Sequence, residues 1–251
     1  MKNFFPKSVL ITQGELVSYA GSEIITLELA EYFSQKGCRV DVLTNYAGDP
    51  IIKDFRKIKN VSLHTSTSKI NFKALDLVWI HHQLIPDELI DLAESGRLKA
   101  KVIFHHMSPY HPLEFPFAPK IEQYLADHVL FNSYESQQAI ELKLNTIGFK
   151  GGLFNNPAPD EYGIVGKEKV VHDTLKNVLV VSNHLPKELE TAINLIASSG
   201  VNVRIYGTSD GHVPRRVMPK DLAWADVVVS IGKTVQYGIL SSTPVYCYDH
   251  F

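Results

Sequence analysis

Cysteine is nearly absent: the 251 residues hold two, Cys38 and Cys247. Both fall in or beside apolar runs that read as buried strands. A disulfide scaffold is therefore excluded, and the pair reads as small reduced core residues of a cytosolic chain. Excess charge is absent too. Lys and Arg number 25 against 27 Asp and Glu, for a formal net charge of −2, which excludes the broad basic surface that nucleic acid requires. No uninterrupted apolar run approaches the roughly 20 residues of a membrane span, and the opening segment Met1 to Thr12 is too short and broken for a signal peptide. Short-period repeats and low-complexity tracts are missing. What remains, 45% hydrophobic and 21% charged residues, is the composition of a packed globular protein and not of a disordered one. The length suits one large domain or two modest ones.

The chain alternates between strand and helix patterns. Ser8 to Thr12, Arg39 to Thr44, Asp76 to His81, Lys101 to His106 and His128 to Asn132 read as strands, and their near-continuous apolar character is that of parallel strands covered on both faces. Between the first two lies a helix, Ser22 to Gln35, with Ile24, Leu27 and Ala30 on one stripe widened by Ile25, Leu29 and Phe33; Ser22 is placed to cap it and Gly37 to stop it. Pro86 to Glu94 and Ser133 to Leu144 read as further helices, the latter capped by Ser133. The first domain is thus expected to hold about six strands. From Asn155 to Val171 the alternation lapses into a Pro-, Asn- and Gly-containing stretch, expected to be an interdomain linker. It then restarts with strand Asn177 to Ser182, helix Pro186 to Ser199 and strand Val201 to Tyr206. The terminal stretch repeats the pattern: Val227 to Val229 as a buried strand, a turn at Gly232, a helix, and a strand at Pro244 to Tyr248. A glycine turn feeding a helix start is a ready anion site, because the free N–H groups there point outward. The expected fold class is α/β, with two parallel-sheet domains at 1–160 and 161–251, the second reading as cut short because covering helices are expected after its last strand.

Specific motifs carry a resemblance. Ala20-Gly21-Ser22-Glu23 followed by Leu27-Glu28-Leu29-Ala30 and Lys36-Gly37-Cys38-Arg39-Val40, then Phe131-Asn132-Ser133-Tyr134-Glu135-Ser136 and Asn155-Asn156-Pro157, then Arg204-Ile205-Tyr206-Gly207 and Asp226 to Tyr248, resemble in order the family 4 glycosyltransferases. That resemblance implies two Rossmann-like domains, the arrangement called GT-B. It also implies transfer of a sugar from a nucleoside-diphosphate sugar with retention of configuration, with no separate cofactor and no metal. Departing diphosphate is neutralised in such enzymes by helix-start amides and basic side chains. The matching positions here are Gly21, Lys187, Gly232, Lys233 and Thr234, and Asn183, Gly207 and Gln236 join them as candidate nucleotide-sugar-binding residues. The sequence departs from the family at two places. Asn183 and His184 stand where a basic residue is usual. The family's paired glutamates are missing, with Tyr237 beside Gln236 at the position of the second; Gln236 can accept a ribose hydroxyl but brings no charge.

His81-His82 and His105-His106 close two successive strands, at the edge where open α/β sheets bind ligands. The resemblance makes His105 or His106 the candidate for contacting sugar, and both are taken as the candidate catalytic residues. Adjacent histidines on a strand point to opposite faces and no neighbouring carboxylate or thiol completes a set, so a metal site is not expected. Met107 to Pro119 is rich in proline and aromatics, a loop whose rings would stack on sugar, touch a lipid acceptor or pack on the domain beneath. Lys53, Arg56, Lys57 and Lys59 form a basic run that would suit an anionic membrane surface, with a solvated helix face the alternative. The expectation is a glycosyltransferase of bacterial surface-polysaccharide or glycolipid assembly, cytoplasmic or peripheral to the inner membrane face. Its partners would be a nucleotide sugar and a saccharide or lipid-linked acceptor. Two other readings stay open: a non-catalytic subunit binding a partner transferase or sugar chain, and a nucleotide-sugar epimerase of similar architecture.

Overall fold

The computed structural model describes residues 5–108, 116, 118–144, 151–169, 172–209 and 211–248. The expectation for the aromatics Tyr110, Phe115 and Phe117 lies outside these. The chain divides into two compact units, residues 1–17 with 22–155 and residues 18–21 with 156–251.

The first unit is built on a parallel sheet of seven strands: β1 (Ser8–Leu16), β2 (Arg39–Ala47), β3 (Val61–His64), β4 (Leu77–Ile80), β5 (Lys101–His106), β6 (His128–Phe131) and β7 (Gly151–Leu153). Their order is β3-β2-β1-β4-β5-β6-β7. The chain leaves β1 first to one side and then to the other, so the switch point lies between β1 and β4. Val9, Leu10, Ile11, Thr12 and Gln13 on β1 are fully buried, as a central strand covered on both faces requires. Helix α1 (Gly21–Gln35) buries Ile24, Ile25, Leu27, Leu29, Ala30 and Phe33, the stripe its spacing predicts. One core cluster joins Leu10, Val78, Ile80, Val102, Phe104, Val129 and Phe131 of the sheet to Leu89, Leu92, Leu125 and Ile140. A short helix α2 (Ile52–Phe55) follows β2, and these four residues come from α3 (Asp87–Glu94), α4 (Pro119–Leu125) and α5 (Tyr134–Leu144). Ser133 caps α5 as expected, accepting the N–H of Ser136 at 3.1 Å. Strands β3 and β7 are not among the five ranges read from the sequence; Gly151-Gly152 carries none of the β-branched or aromatic signal that marks a strand.

The second unit holds four parallel strands, β8 (Asn177–Val181), β9 (Asn202–Tyr206), β10 (Val227–Ser230) and β11 (Val245–Cys247), in the order β11-β10-β8-β9. Here the switch point falls between β8 and β10. Val178, Val180 and Val229 pack on Ile193 of α7 (Lys187–Ser198). Helices α6 (Glu161–Glu168), α8 (Pro219–Trp224) and α9 (Lys233–Leu240) complete the unit.

Part of the expected linker is helix α6. Tyr162, with no exposed surface, stacks on Tyr237 of α9 at a centroid distance of 4.2 Å and an interplanar angle of 2°. Gly163 and Gly166 face Leu240 and Ser241, and a Cβ on Gly166 would stand 2.8 Å from the Ser241 carbonyl carbon. The glycines that lower the helix propensity of this segment are what let it seat closely. A second correction concerns Cys247, which is exposed, while Cys38 is buried; β11 is an edge strand, so its residues lack the double covering of a central one.

One device recurs at strand entries. Asp76, Asp127 and Asp226 each precede a strand, and each carboxylate accepts backbone N–H groups where the neighbouring strand begins: Lys7 at 2.8 Å and Ser8 at 3.0 Å, Val102 at 2.9 Å, and Lys176 at 2.9 Å and Asn177 at 2.8 Å, respectively. The N–H of Lys7 is the main reason the Asp76 carboxyl lies below the usual carboxylate range. Among the described residues, no helix is long and apolar enough to cross a membrane.

Candidate functional site

At the C-terminal edge of the first sheet, β4 and β5 deliver the four histidines. Ile80 pairs with Phe104, and just beyond it the His81 ring meets His105, while His82 turns away toward β1. His81 and His105 are buried on one face with Trp79 and Phe154. The Trp79 indole N–H points at His105 Nδ1 from 3.4 Å, and His81 Nε2 lies 3.1 Å from the same atom. An indole can only donate, so His105 Nδ1 accepts and the ring carries its proton on Nε2, which has no partner among the described residues. His81 in turn donates from Nε2 and accepts at Nδ1 from the Thr26 hydroxyl at 3.0 Å. Burial pushes the His105 pKa down to about 3, with His106 adding to the shift. His81 is held well below its ordinary value by burial first and then by His105, His82 and His106. Both are neutral imidazoles at physiological pH.

On the opposite face His106 stacks on Phe131, and its Nε2 lies 2.7 Å from Glu122 Oε1. Gln83 donates to the other oxygen of Glu122 at 2.5 Å, and the Gln83 side-chain carbonyl faces the N–H of Ala118 at 3.4 Å. Glu122, on α4, is the carboxylate that the sequence did not bring near the histidines; it lies 16 positions beyond His106 with only a polar helix pattern around it. Even so, no group of three or more His, Cys, Asp or Glu residues fit to hold a metal occurs among the described residues.

Of the four histidines only His82 keeps partial solvent access. Its φ is 51°, as is that of Gln83, so two consecutive non-glycine residues sit in the left-handed region, a strain that concentrates at functional sites. The ring lies against Gly14, where a Cβ would stand 3.0 Å from His82 Nδ1. The Gln13 amide nitrogen is 3.3 Å from the same ring atom. Gly14 and His82 therefore form the accessible floor at the β1/β4 switch point, with the buried Gln13 amide against the ring. Gln13-Gly14 directly follows the apolar run of β1, and that position is the signal that could have found it. Gly21 begins α1 and a Cβ there would meet nothing within 4 Å, so its lack of a side chain is not sterically required.

In the second unit, Asn183 follows β8 and Gly232 follows β10, on the two sides of the β8/β10 switch point. Gly232 has φ 63° and ψ −128° and caps α9. Lys187 is exposed at the first residue of α7. Gly207 packs where no side chain fits: a Cβ would stand 1.9 Å from the Ser182 carbonyl oxygen. Lys233 and Thr234 are buried. The Lys233 ammonium donates to the Pro157 carbonyl and sits 4.9 Å from the Tyr237 ring centroid. The Gln236 amide donates within its own helix, to the carbonyls of Gly232 at 2.7 Å and Lys233 at 2.9 Å. Asn183 and Lys187 thus follow the carboxyl end of β8 and Gly232 that of β10, while Lys233 and Gln236 engage groups of their own unit.

Both units present the same layout, a parallel sheet with one topological switch point. A glycosyltransferase from Rickettsia africae ESF-5 superposes with a TM-score of 0.59 at 14% identity, over 97% of this chain and 79% of that one. The chain has the GT-B fold. An α-glucosyltransferase solved with UDP and a 13-mer DNA containing an HMU base matches with a TM-score of 0.54 at 8% identity, over 96% of this chain and 78% of its own. WaaG, a glycosyltransferase involved in lipopolysaccharide biosynthesis, gives 0.50 at 11%, over 95% and 80%. No family model and no curated protein matches the sequence. At such identities the likeness is one of fold, on which many chemistries are hosted.

Proposed function

We propose that the chain is a glycosyltransferase that takes its sugar from a nucleoside-diphosphate donor. The observation that carries this reading is the GT-B fold together with the β8/β10 crevice. In this reading the diphosphate lies at the start of α9, beside Gly232, where backbone N–H groups and the helix dipole favour an anion. Lys187 supplies positive charge from the start of α7 without a metal. The acceptor is a saccharide or lipid-linked saccharide of surface-polysaccharide or glycolipid assembly, and transfer retains configuration. His82, beside Gly14 and the buried Gln13 amide, is the accessible group of the first unit that would meet sugar; His105 and His106 are buried on opposite faces of the sheet.

A second reading has its own support. Lys233 and Gln236 are turned to protein groups, and no glutamate occupies the position of Tyr237. Both features favour a glycosyltransferase-like subunit that binds a partner transferase or sugar chain without turning over.

Thermal unfolding in the presence of uridine, guanosine, adenosine and cytidine diphosphates separates the two. A donor at a hundred times its dissociation constant raises stability by about 2.7 kcal/mol, and Lys187→Gln is expected to weaken that nucleotide about tenfold, the loss of one charge-assisted hydrogen bond. Absence of a shift with all four bases, in a protein that unfolds cooperatively, rejects the transferase reading.

A further inference from the structure

A cleft of about 720 Å³ runs along β9 on the flank of the second sheet and is lined by Arg204, Tyr206, Val213, Arg215, Lys220 and Asp221. β9 is the last strand on this side of the sheet. Among the described residues, Val213 reaches it from there, bridging to Tyr206 and bonding Ile205 and Gly207 at 3.1 Å. The charges around the cleft are unequal. Asp221 is 1% exposed, and its carboxylate is already engaged by the Tyr206 hydroxyl at 2.9 Å, the Met218 N–H at 2.8 Å and Arg215 at 3.3 Å. Three cations thus surround one saturated carboxylate, an excess of two positive charges.

Two of the three are held in place by aromatic rings. The Arg204 guanidinium lies over Trp224 at 3.7 Å from the centroid, and Arg215 over Tyr206 at 5.2 Å. Among the described residues, the Arg204 guanidinium and the Lys220 ammonium have no hydrogen-bond acceptor or ion-pair partner. A guanidinium fixed flat on an indole offers its planar fork of N–H donors with little further loss of freedom on binding. Planar, paired donors with a surplus of two positive charges match a phosphate group, which carries between one and two negative charges at neutral pH and three acceptor oxygens. The cleft has the size of small-molecule sites, with room for a sugar-sized body beside the phosphate.

We propose that this cleft is a binding site for a small phosphate-bearing ligand. It lies along the side of β9 and uses none of Asn183, Lys187 or Gly232, so it stands independently of the sugar-transfer reading. Calorimetric titration of the whole chain with inorganic pyrophosphate and with a hexose 1-phosphate at low ionic strength is expected to show binding at this cleft, separate from any diphosphate held at the start of α9. Lys220→Gln and Arg204→Gln should each weaken it about tenfold, the worth of one charge-assisted hydrogen bond. Arg204→Lys, which keeps the charge and gives up the fork, should fall between. In the Lys187→Gln chain this binding should persist. Lys220 is exposed, so its variant keeps the test open even if Arg204→Gln loosens Trp224. Flotation with phosphatidylglycerol vesicles tells a lipid-borne phosphate from a soluble one; vesicle binding lost in the same two variants supports the site with lipid as the source. Absence of binding of both soluble probes and of vesicles, binding indifferent to Arg204→Gln and Lys220→Gln, or binding lost in Lys187→Gln instead, overturns the assignment.

Discussion

Lowering the pH from 7 to 5 is expected to destabilise the first unit through His105 and His81. In the folded chain both rings are buried and neutral, with His105 pushed down to about 3 from an ordinary 6.5. In the unfolded chain they regain that ordinary value. Between these limits the unfolded state binds protons that the native state refuses, so stability is full above pH 6.5 and falls as the pH drops toward 3. At 1.36 kcal/mol for each unit of difference, His105 alone removes roughly 2 kcal/mol at pH 5, and His81 acts in the same direction. Against a typical total of about 5–15 kcal/mol this is a large share. Urea unfolding read from Trp79, the indole that touches His105, measures it; Trp224→Phe leaves Trp79 as the sole tryptophan of the two. The slope of stability with pH below 6.5 should approach two protons. His105→Gln, which keeps a polar group but does not titrate, should be weaker at pH 7 and flatter by about one proton. Equal stability at pH 7 and 5, or an unchanged slope in His105→Gln, refutes the argument that these rings stay neutral when folded.

Gly207→Ala puts a Cβ against the Ser182 carbonyl oxygen and is expected to lower the stability of the second unit by about 3 kcal/mol, the upper range of overpacking, measured by urea unfolding with Trp224 as reporter. Glu122→Ala strands His106 and Gln83 in a buried site and should cost about 3 kcal/mol, while Glu122→Gln, which keeps an acceptor for one of them, should cost less; thermal unfolding of the two variants ranks them. Lys169 donates to the carbonyls of Leu222 at 3.1 Å and Ala225 at 2.6 Å and to the Thr243 hydroxyl at 2.5 Å, so Lys169→Met should remove about 2 kcal/mol from the second unit, seen as a lower urea midpoint at unchanged slope.

What was legible in the sequence follows from which signals are local. Buried parallel strands announce themselves as apolar runs, and side-chain alternation alone puts the two histidines of each pair on opposite faces. Burial was not legible, because it depends on partners remote in sequence: Trp79 and Phe154 for His105, Glu122 and Phe131 for His106. Helix α6 was hidden for a different reason. Its intrinsic preference is poor, and only the tertiary fit of Tyr162, Gly163 and Gly166 makes it a helix.

The strand-entry aspartates connect the two kinds of information. Each can be read locally, as an Asp between an apolar residue and a strand in Leu75-Asp76-Leu77, Ala126-Asp127-His128 and Ala225-Asp226-Val227, yet each acts at long range by tying the start of one strand to the start of its neighbour. Register in a parallel sheet is otherwise weakly specified where both faces are apolar, since a shifted strand buries nearly as much. A carboxylate that binds Lys7 and Ser8 removes that freedom for β1 against β4, and one that binds Lys176 and Asn177 does so for β8 against β10. Strands of fixed rise then carry the register upward. His81 and His82 arrive level with Gln13 and Gly14 at one switch point, and Gly232 level with Asn183 at the other, because of pairings made at the opposite edge of each sheet.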